Sequence, residues 1–273
     1  MARREGGGPR RHRAAFNGVA VLYNRYRRAY PPNVVDAVVE AARIAPGSRV
    51  LEIGPGTGQL TRPLLQRGAA VTGVELGPEL AALAQQNLAG FPGFKVCVSS
   101  FEDWTLPAQP FAAVVSATAF HWVDEAVRAA KAARALGPVG VLVAIYPHQV
   151  VTADGGFSAA SQRYYLDWGL STDPAWHLPY AHELESMYED IDHCPAFAVV
   201  TRRRIACTRR LTTAEYVGLL QTDSLVLTLS EPDRQGFLAD MRALIDSKYG
   251  GAVQRGFVYE VVTAMKRPHQ DGP

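Results

Sequence analysis

Glycine occupies every second position across Gly54-Pro55-Gly56-Thr57-Gly58, directly after the apolar run Val50-Leu51-Glu52-Ile53. A run of this kind between a strand and a helix lets backbone come close to a bound nucleotide, where a Cβ would stand in the way. The spacing narrows the chemistry. A dinucleotide fingerprint needs glycine at position 59, where this chain has Gln59, and a phosphate-cradling loop needs Gly-Lys-Ser/Thr, which does not occur. Two acids flank the loop. Glu52 precedes it, and Glu75 closes the next apolar run, 17 residues after Gly58. An acid in that second place can accept both hydroxyls of a ribose through charge-assisted hydrogen bonds, or it is a solvated strand-end glutamate.

These residues need a sheet to hold them, and the pattern supplies one. Short apolar runs at residues 49–53, 70–75, 94–98, 112–117 and 140–146 alternate with segments of helical spacing. The first helix is expected over residues 33–44, where Val34, Val35, Val38, Val39 and Ala42 recur near every 3.6 residues. A second carries Leu60, Leu64 and Leu65, and a third starts at Gly77-Pro78, with proline at the first helical position. Continuous apolar runs suit parallel strands covered on both faces, so the expectation is a doubly wound α/β sheet. The rhythm breaks after Tyr146. Residues 148–195 read as polar and aromatic helical material, 199–208 as a half-exposed strand, 212–221 and 231–249 as helices, and 257–265 as a last strand. A helical cap built from residues 14–32, 148–195 and 212–250 would cover the sheet.

The form acid-x-Gly-x-Gly-x-Gly resembles the first motif of the class I methyltransferases. That resemblance implies a Rossmann-like seven-stranded sheet with an antiparallel last strand, and S-adenosylmethionine as cofactor. Its sulfonium and ammonium favour nearby acids over a basic phosphate grip. By the resemblance Glu52 holds the methionine ammonium, directly or through water, unless it merely caps local N–H groups. Gly54, Gly56 and Gly58 line the ligand, with Glu75 and Leu76 at the ribose. Ser99-Ser100-Phe101-Glu102 stands where many relatives have Gly-Asp-Ala-Glu. The Phe101 N–H is expected near the adenine ring, Phe101 or Trp104 near its face, and Ser100 or Glu102 at the exocyclic amine. The segment from Ser116 to Trp122 follows the fourth strand, where relatives place residues beside the departing methyl, so Ala117, His121 and Trp122 belong to the site. His121 is either a general base or a hydrogen-bonded part of the pocket wall.

A closer resemblance is to the trans-aconitate methyltransferase-like branch of small-molecule enzymes. It rests on Phe16, Ala20, Tyr23, Arg27 and Tyr30-Pro31, on Phe120-His121-Trp122, and on Leu211-Thr-Thr-x-Glu215-Tyr216. Arg27-Arg28 replaces a frequent Arg-Pro, and Gly137-Pro-Val-Gly140 the usual Pro-Gly-Gly. Tyr23 and Arg27 are the expected cap residues over the donor. The implied reaction is methylation of a small molecule, on a carboxylate or phenol oxygen. The alternatives are a non-methylating enzyme of the same fold, a C- or N-methyltransferase of natural-product biosynthesis, or a regulatory binding protein.

Composition sets the outer limits. The chain has 273 residues, 48% hydrophobic and 20% charged, with net charge +2. That is an ordinary globular composition with no field implying a nucleic-acid partner. Five arginines between residues 3 and 13 suggest a flexible basic tail over residues 1–15, ahead of a cofactor-binding part to 146 and a remaining part from 147 to 273. No apolar run is long enough to span a membrane. Three scattered cysteines fit reduced thiols in a cytoplasm, and neither cysteine nor histidine spacing suggests a metal. The sequence sets no oligomeric state.

Overall fold

The computed structural model describes residues 16–152 and 156–268, so the expected basic tail lies outside the described residues. A short 3₁₀ turn, Asn17–Val19, leads into helix α1 (Ala20–Tyr26), followed by α2 (Pro32–Ala41). Strand and helix then alternate: β1 (Arg49–Ile53), α3 (Thr61–Gln66), β2 (Ala70–Glu75), α4 (Pro78–Asn87), β3 (Phe94–Val98), β4 (Phe111–Ala117), α5 (Glu125–Ala135) and β5 (Leu136–Val150). Helix α6 (Gly156–Asp167), strand β6 (Phe197–Thr212), helices α7 (Thr213–Leu220) and α8 (Glu231–Lys248), and strand β7 (Ala252–Lys266) complete the order. The seven strands form one sheet in the order β3-β2-β1-β4-β5-β7-β6, with β7 antiparallel to both its neighbours.

Period-two alternation sorts the side chains to two cores. Val50, Ala113, Val115, Val143, Ile145 and Val261 face α2 and α3, where Val34, Val38, Leu60 and Leu64 meet them. Leu51, Val114, Leu142, Ala144 and Val262 face the other way, onto Ala129, Ala132 and Ala133 of α5. A third cluster joins α7 and α8 to the end of β6 and the start of β7 through Leu211, Tyr216, Phe237, Met241 and Val253.

Two expectations change. Residues 148–195 are not mainly helical: α6 and two 3₁₀ turns are their only helical elements among the described residues, and much of the rest is irregular. The last three strands are also longer than expected, at 15, 16 and 15 residues. Pairing of β4 with β5 ends at Ala117↔Ile145, while β5 runs on against β7 from Tyr146↔Glu260 to Val150↔Gly256. A ribbon therefore projects past the sheet edge at which the glycine loop lies. No helix among the described residues is long and apolar enough to cross a membrane.

Candidate functional site

Gly54, Gly56 and Gly58 have φ of +69°, +59° and +102°, all in the left-handed region that L side chains rarely adopt. Space is as tight as conformation. A Cβ on Gly54 would stand 2.4 Å from Ala119 Cβ, one on Gly58 2.9 Å from Leu88 Cδ1, and one on Gly56 3.3 Å from Tyr23 Cε1. The loop thus threads between the end of α4, the turn after β4 and α1.

Glu75 organises this loop from β2. Its Oε2 accepts from the Gly56 N–H and its Oε1 from the Gly77 N–H, both at 3.0 Å. Burial pushes its carboxyl up while those N–H groups pull it down, and burial prevails. Each oxygen keeps a further lone pair for a donor such as a ribose hydroxyl. Leu76, next in chain, is half-buried. Glu52 is 1% exposed, and its Oε2 has no hydrogen-bond partner. Burial pushes its carboxyl up to about 7, against the pull of the Thr61 hydroxyl and with the charge of Glu75 adding to the rise. An orphaned buried oxygen beside a glycine cradle fits a cationic ligand group.

The turn after β4 is held from several sides. Ser116 Oγ donates to the Ile53 carbonyl at 2.9 Å, and Ala117 closes the strand, buried. Thr118 has φ +59°, a strained value for a β-branched residue, and its hydroxyl shares a 2.8 Å hydrogen bond with Tyr30. His121 is wedged between Trp122 (centroids 4.9 Å) and Tyr146 (5.0 Å). Burial, then the nearby Arg128 guanidinium, push its imidazole down to about 3, and its Nδ1 has no partner. Arg128 itself is tied to Asp190 and to the Phe120 carbonyl, which fixes the turn.

The segment after β3 is built differently from the expectation. Phe101 is 2% exposed, its ring in the core with Leu51 and Val74 and under Lys131 Nζ. Trp104 packs on Phe111, the first residue of β4 and so at the sheet's far end. Neither ring is presented as an adenine face. Ser100 Oγ bonds the Asp103 carboxylate and N–H, closing a turn, and the Glu102 carboxylate accepts from the Asp124 N–H at the start of α5. The apolar surface near Glu75 is Val98, its register partner across β2–β3, 57% exposed. An exposed valine closing an otherwise half-buried strand was the available signal for it.

Residues 16–30 form a strap across these parts. Asn17 Oδ1 caps α4 through the Glu79 N–H at 2.7 Å, and Phe16 packs edge-on against Tyr23 and Trp122. Tyr23 covers Gly56, with the Arg27 guanidinium 5.5 Å from its ring centre. Arg27 donates to Thr222 Oγ1 at 2.9 Å and to the Thr222 carbonyl at 2.7 Å, joining the strap to the turn after α7. Its role in this geometry is to clamp the strap. Sequence spacing missed a further cluster on the projecting ribbon, where Tyr146, His148, Arg204 and Glu260 share one face. The signal was Glu260, a lone acid inside the apolar run from Phe257 to Met265.

Against known proteins, residues 50–140 match a family model described as a methyltransferase domain. An uncharacterized methyltransferase of Mycobacterium tuberculosis is 35% identical over 128 residues, 47% of this chain and 50% of the relative. A ribosomal RNA small subunit methyltransferase A of Synechococcus is 45% identical over 83 residues, 29% of this chain and 30% of that protein. The chain thus spans about half or less of these curated relatives. A crystal structure of a putative sarcosine dimethylglycine methyltransferase from Galdieria sulphuraria shares the fold, with TM-score 0.51 and 16% identity over 86% of this chain and 84% of that one. Residues 50–140 are therefore a methyltransferase domain of the S-adenosylmethionine-dependent, class I kind, within a Rossmann-like seven-stranded fold.

Proposed function

We propose that the chain transfers the methyl group of S-adenosylmethionine to a small-molecule acceptor. The observation that carries this reading is the pairing of a three-glycine cradle with two buried acids, one of them holding an oxygen without a partner. S-adenosylmethionine supplies an activated methyl on a sulfonium, which leaves without acid assistance. Glu52 would take the methionine ammonium and Glu75 the ribose hydroxyls, while Gly54, Gly56, Leu76 and Ala117 shape the cleft. The strap and the post-β4 turn exclude water and fix the line of approach, and alignment of this kind supplies about 7–11 kcal/mol in favourable systems. The projecting ribbon would lie on the acceptor side, and the acceptor would be a small molecule methylated on a phenol or carboxylate oxygen. Calorimetric titration with S-adenosylmethionine, followed by mass spectrometry of labelled products from small-molecule extracts, tests the reading; a folded protein that binds no donor overturns it.

Glu52 makes donor binding proton-linked. Its raised pKa leaves it largely protonated at pH 6, and an ammonium beside it favours the ionised form. Binding therefore releases up to one proton below pH 7, and affinity rises with pH toward about 7 and levels off above it. Calorimetry at pH 6 in phosphate and in Bis-Tris should give different binding heats, a difference that Glu52→Gln removes. Equal heats in both buffers would free Glu52 from this role.

His121 carries the opposite sign. With its imidazole pushed down to about 3, the ring is neutral throughout pH 5–9. His121 should then contribute no limb of its own to turnover near 6.5, the value expected of an exposed histidine base. A base this weak is poorly matched to a phenol, so His121 serves as pocket wall. His121→Ala should act mainly on acceptor KM, read from kcat and KM across pH. Loss of a kcat limb near 6.5 in the variant would restore the base.

A further inference from the structure

Past the end of β4, the rings of His121, Tyr146 and His148 follow one another edge to face, at centroid separations of 5.0 and 4.8 Å. Tyr188 closes the far side, 6.3 Å from Tyr146. Two buried polar atoms beside the Tyr146 ring meet no hydrogen-bond partner, His121 Nδ1 and Tyr188 Oη. Buried polar groups are nearly always satisfied, and two lapses at one place fit a surface that meets a ligand. Behind His148 stands Glu260, wholly buried, with Oε2 3.6 Å from His148 Nε2. Ser186 Oγ donates to that oxygen at 2.9 Å, and the Arg204 guanidinium stands 3.5 Å from Oε1. Burial pushes the Glu260 carboxyl up, but His148, Ser186 and the Met187 N–H outweigh it and hold it below the ordinary glutamate value. The carboxylate is thus ionised and fixed, with its imidazole neighbour turned Nε2-first toward it.

We propose that His148, oriented by Glu260, takes the proton of the acceptor, and that the acceptor is an aromatic molecule whose nucleophilic atom carries a proton, a phenol or an aniline. This rests on the methyl-transfer reading above. The acceptor's lone pair forms the new bond to carbon as the carbon–sulfur bond breaks, the bonding pair stays on sulfur, and the acceptor's proton passes to His148 Nδ1. The same wall disfavours a carboxylate acceptor. Its two guanidinium groups are committed, Arg128 to Asp190 and Arg204 to Glu260 and the Leu184 carbonyl, and its rings present aromatic faces and edges. The charged and titratable groups around His148 are Glu260 from β7, Arg204 from β6 and Tyr146 from β5. Beyond Tyr146 stand His121 and Tyr188, with Arg128 behind them.

Nitrogen-15 spectra of the imidazoles in the protein loaded with S-adenosylhomocysteine decide the matter, with phenol, aniline and benzoate as probes. His148 should carry its neutral-form proton on Nε2, and phenol and aniline should shift the His121 and His148 signals while benzoate does not. A proton on Nδ1, a response to benzoate alone, or no response of His148 to any probe overturns the proposal. In turnover with a phenol or aniline acceptor, His148→Gln should lower kcat about 100-fold, with the affinity for S-adenosylhomocysteine unchanged. Parental kcat at every pH overturns it as well. If S-adenosylhomocysteine itself does not bind, the methyl-transfer reading fails separately, and the probe titration on unloaded protein still decides the role of His148.

Discussion

Gly54→Val is expected to abolish donor binding, with the dissociation constant raised at least about 1000-fold, while a lowered Tm marks strain in the loop. The reason lies in two independent constraints on one residue. Its φ of +69° costs a β-branched side chain about 1–3 kcal/mol. Its Cβ would also stand 2.4 Å from Ala119 Cβ, an atom with no flexible length by which to retreat. Ala119 in turn follows Thr118, whose own left-handed backbone and bond to Tyr30 fix the turn. Relief must come from parting β1 from the post-β4 segment, which opens the cleft where donor and acceptor would meet. Gly56→Val meets only the ends of Tyr23 and Gln59, at 3.3 Å each, so in the free protein it displaces the strap rather than the sheet. Calorimetry with S-adenosylhomocysteine measures both, with circular dichroism to establish folding. A folded Gly54→Val protein with near-parental affinity would remove the glycine loop from the site.

The parts of this architecture that were legible in the sequence are those governed by local pattern. Strands β1, β2 and β3 lie at the residues their apolar runs indicate; β1 and most of β2 are buried, as parallel strands covered on both faces are, while β3 is a half-buried edge strand. The glycine loop and Glu75 were legible because chemistry fixes their spacing. The post-β3 segment was not. Whether Phe101 faces a ligand or the core depends on what fills the space beneath it, and Lys131 and Val74 belong to other elements. The region after Tyr146 was misread for a related cause. Its aromatic and polar residues carry helix-like spacing, yet Tyr188 and Ile191 are buried against Phe120 and the sheet as single anchors of irregular chain. Glu260 stands out in the sequence as a lone acid in an apolar run, but nothing there pairs it with His148, since β5 and β7 meet only through antiparallel pairing.

Removing residues 1–30 is expected to lower kcat/KM by at least about 100-fold, whereas removing residues 1–13 leaves it near the parental value. The strap is a cover more than a core element: among residues of α1 only Ala20 is buried. Polar and aromatic bonds hold it instead, at Asn17 to α4, Arg27 to Thr222 and Tyr30 to Thr118. A segment attached in this way opens at low cost compared with global unfolding, as an element that must admit and release a ligand requires. One contact complicates the deletion. Tyr26 lies against Gly218 of α7, where an added Cβ would meet its ring at 2.3 Å, so losing the strap bares part of that helix. Point changes avoid this. Arg27→Ala deletes both bonds to Thr222, and should raise the KM for S-adenosylmethionine about 10-fold with little change in Tm, since two hydrogen bonds to a guanidinium in a partly exposed setting contribute roughly 1–2 kcal/mol. Tyr23→Ala uncovers Gly56 and should act in the same direction. Steady-state kinetics with varied donor, beside thermal melts, separates a cover from a structural prop: a cover moves KM first, a prop moves Tm first. Equal activity of the two truncations would show that residues 16–30 do not close the site.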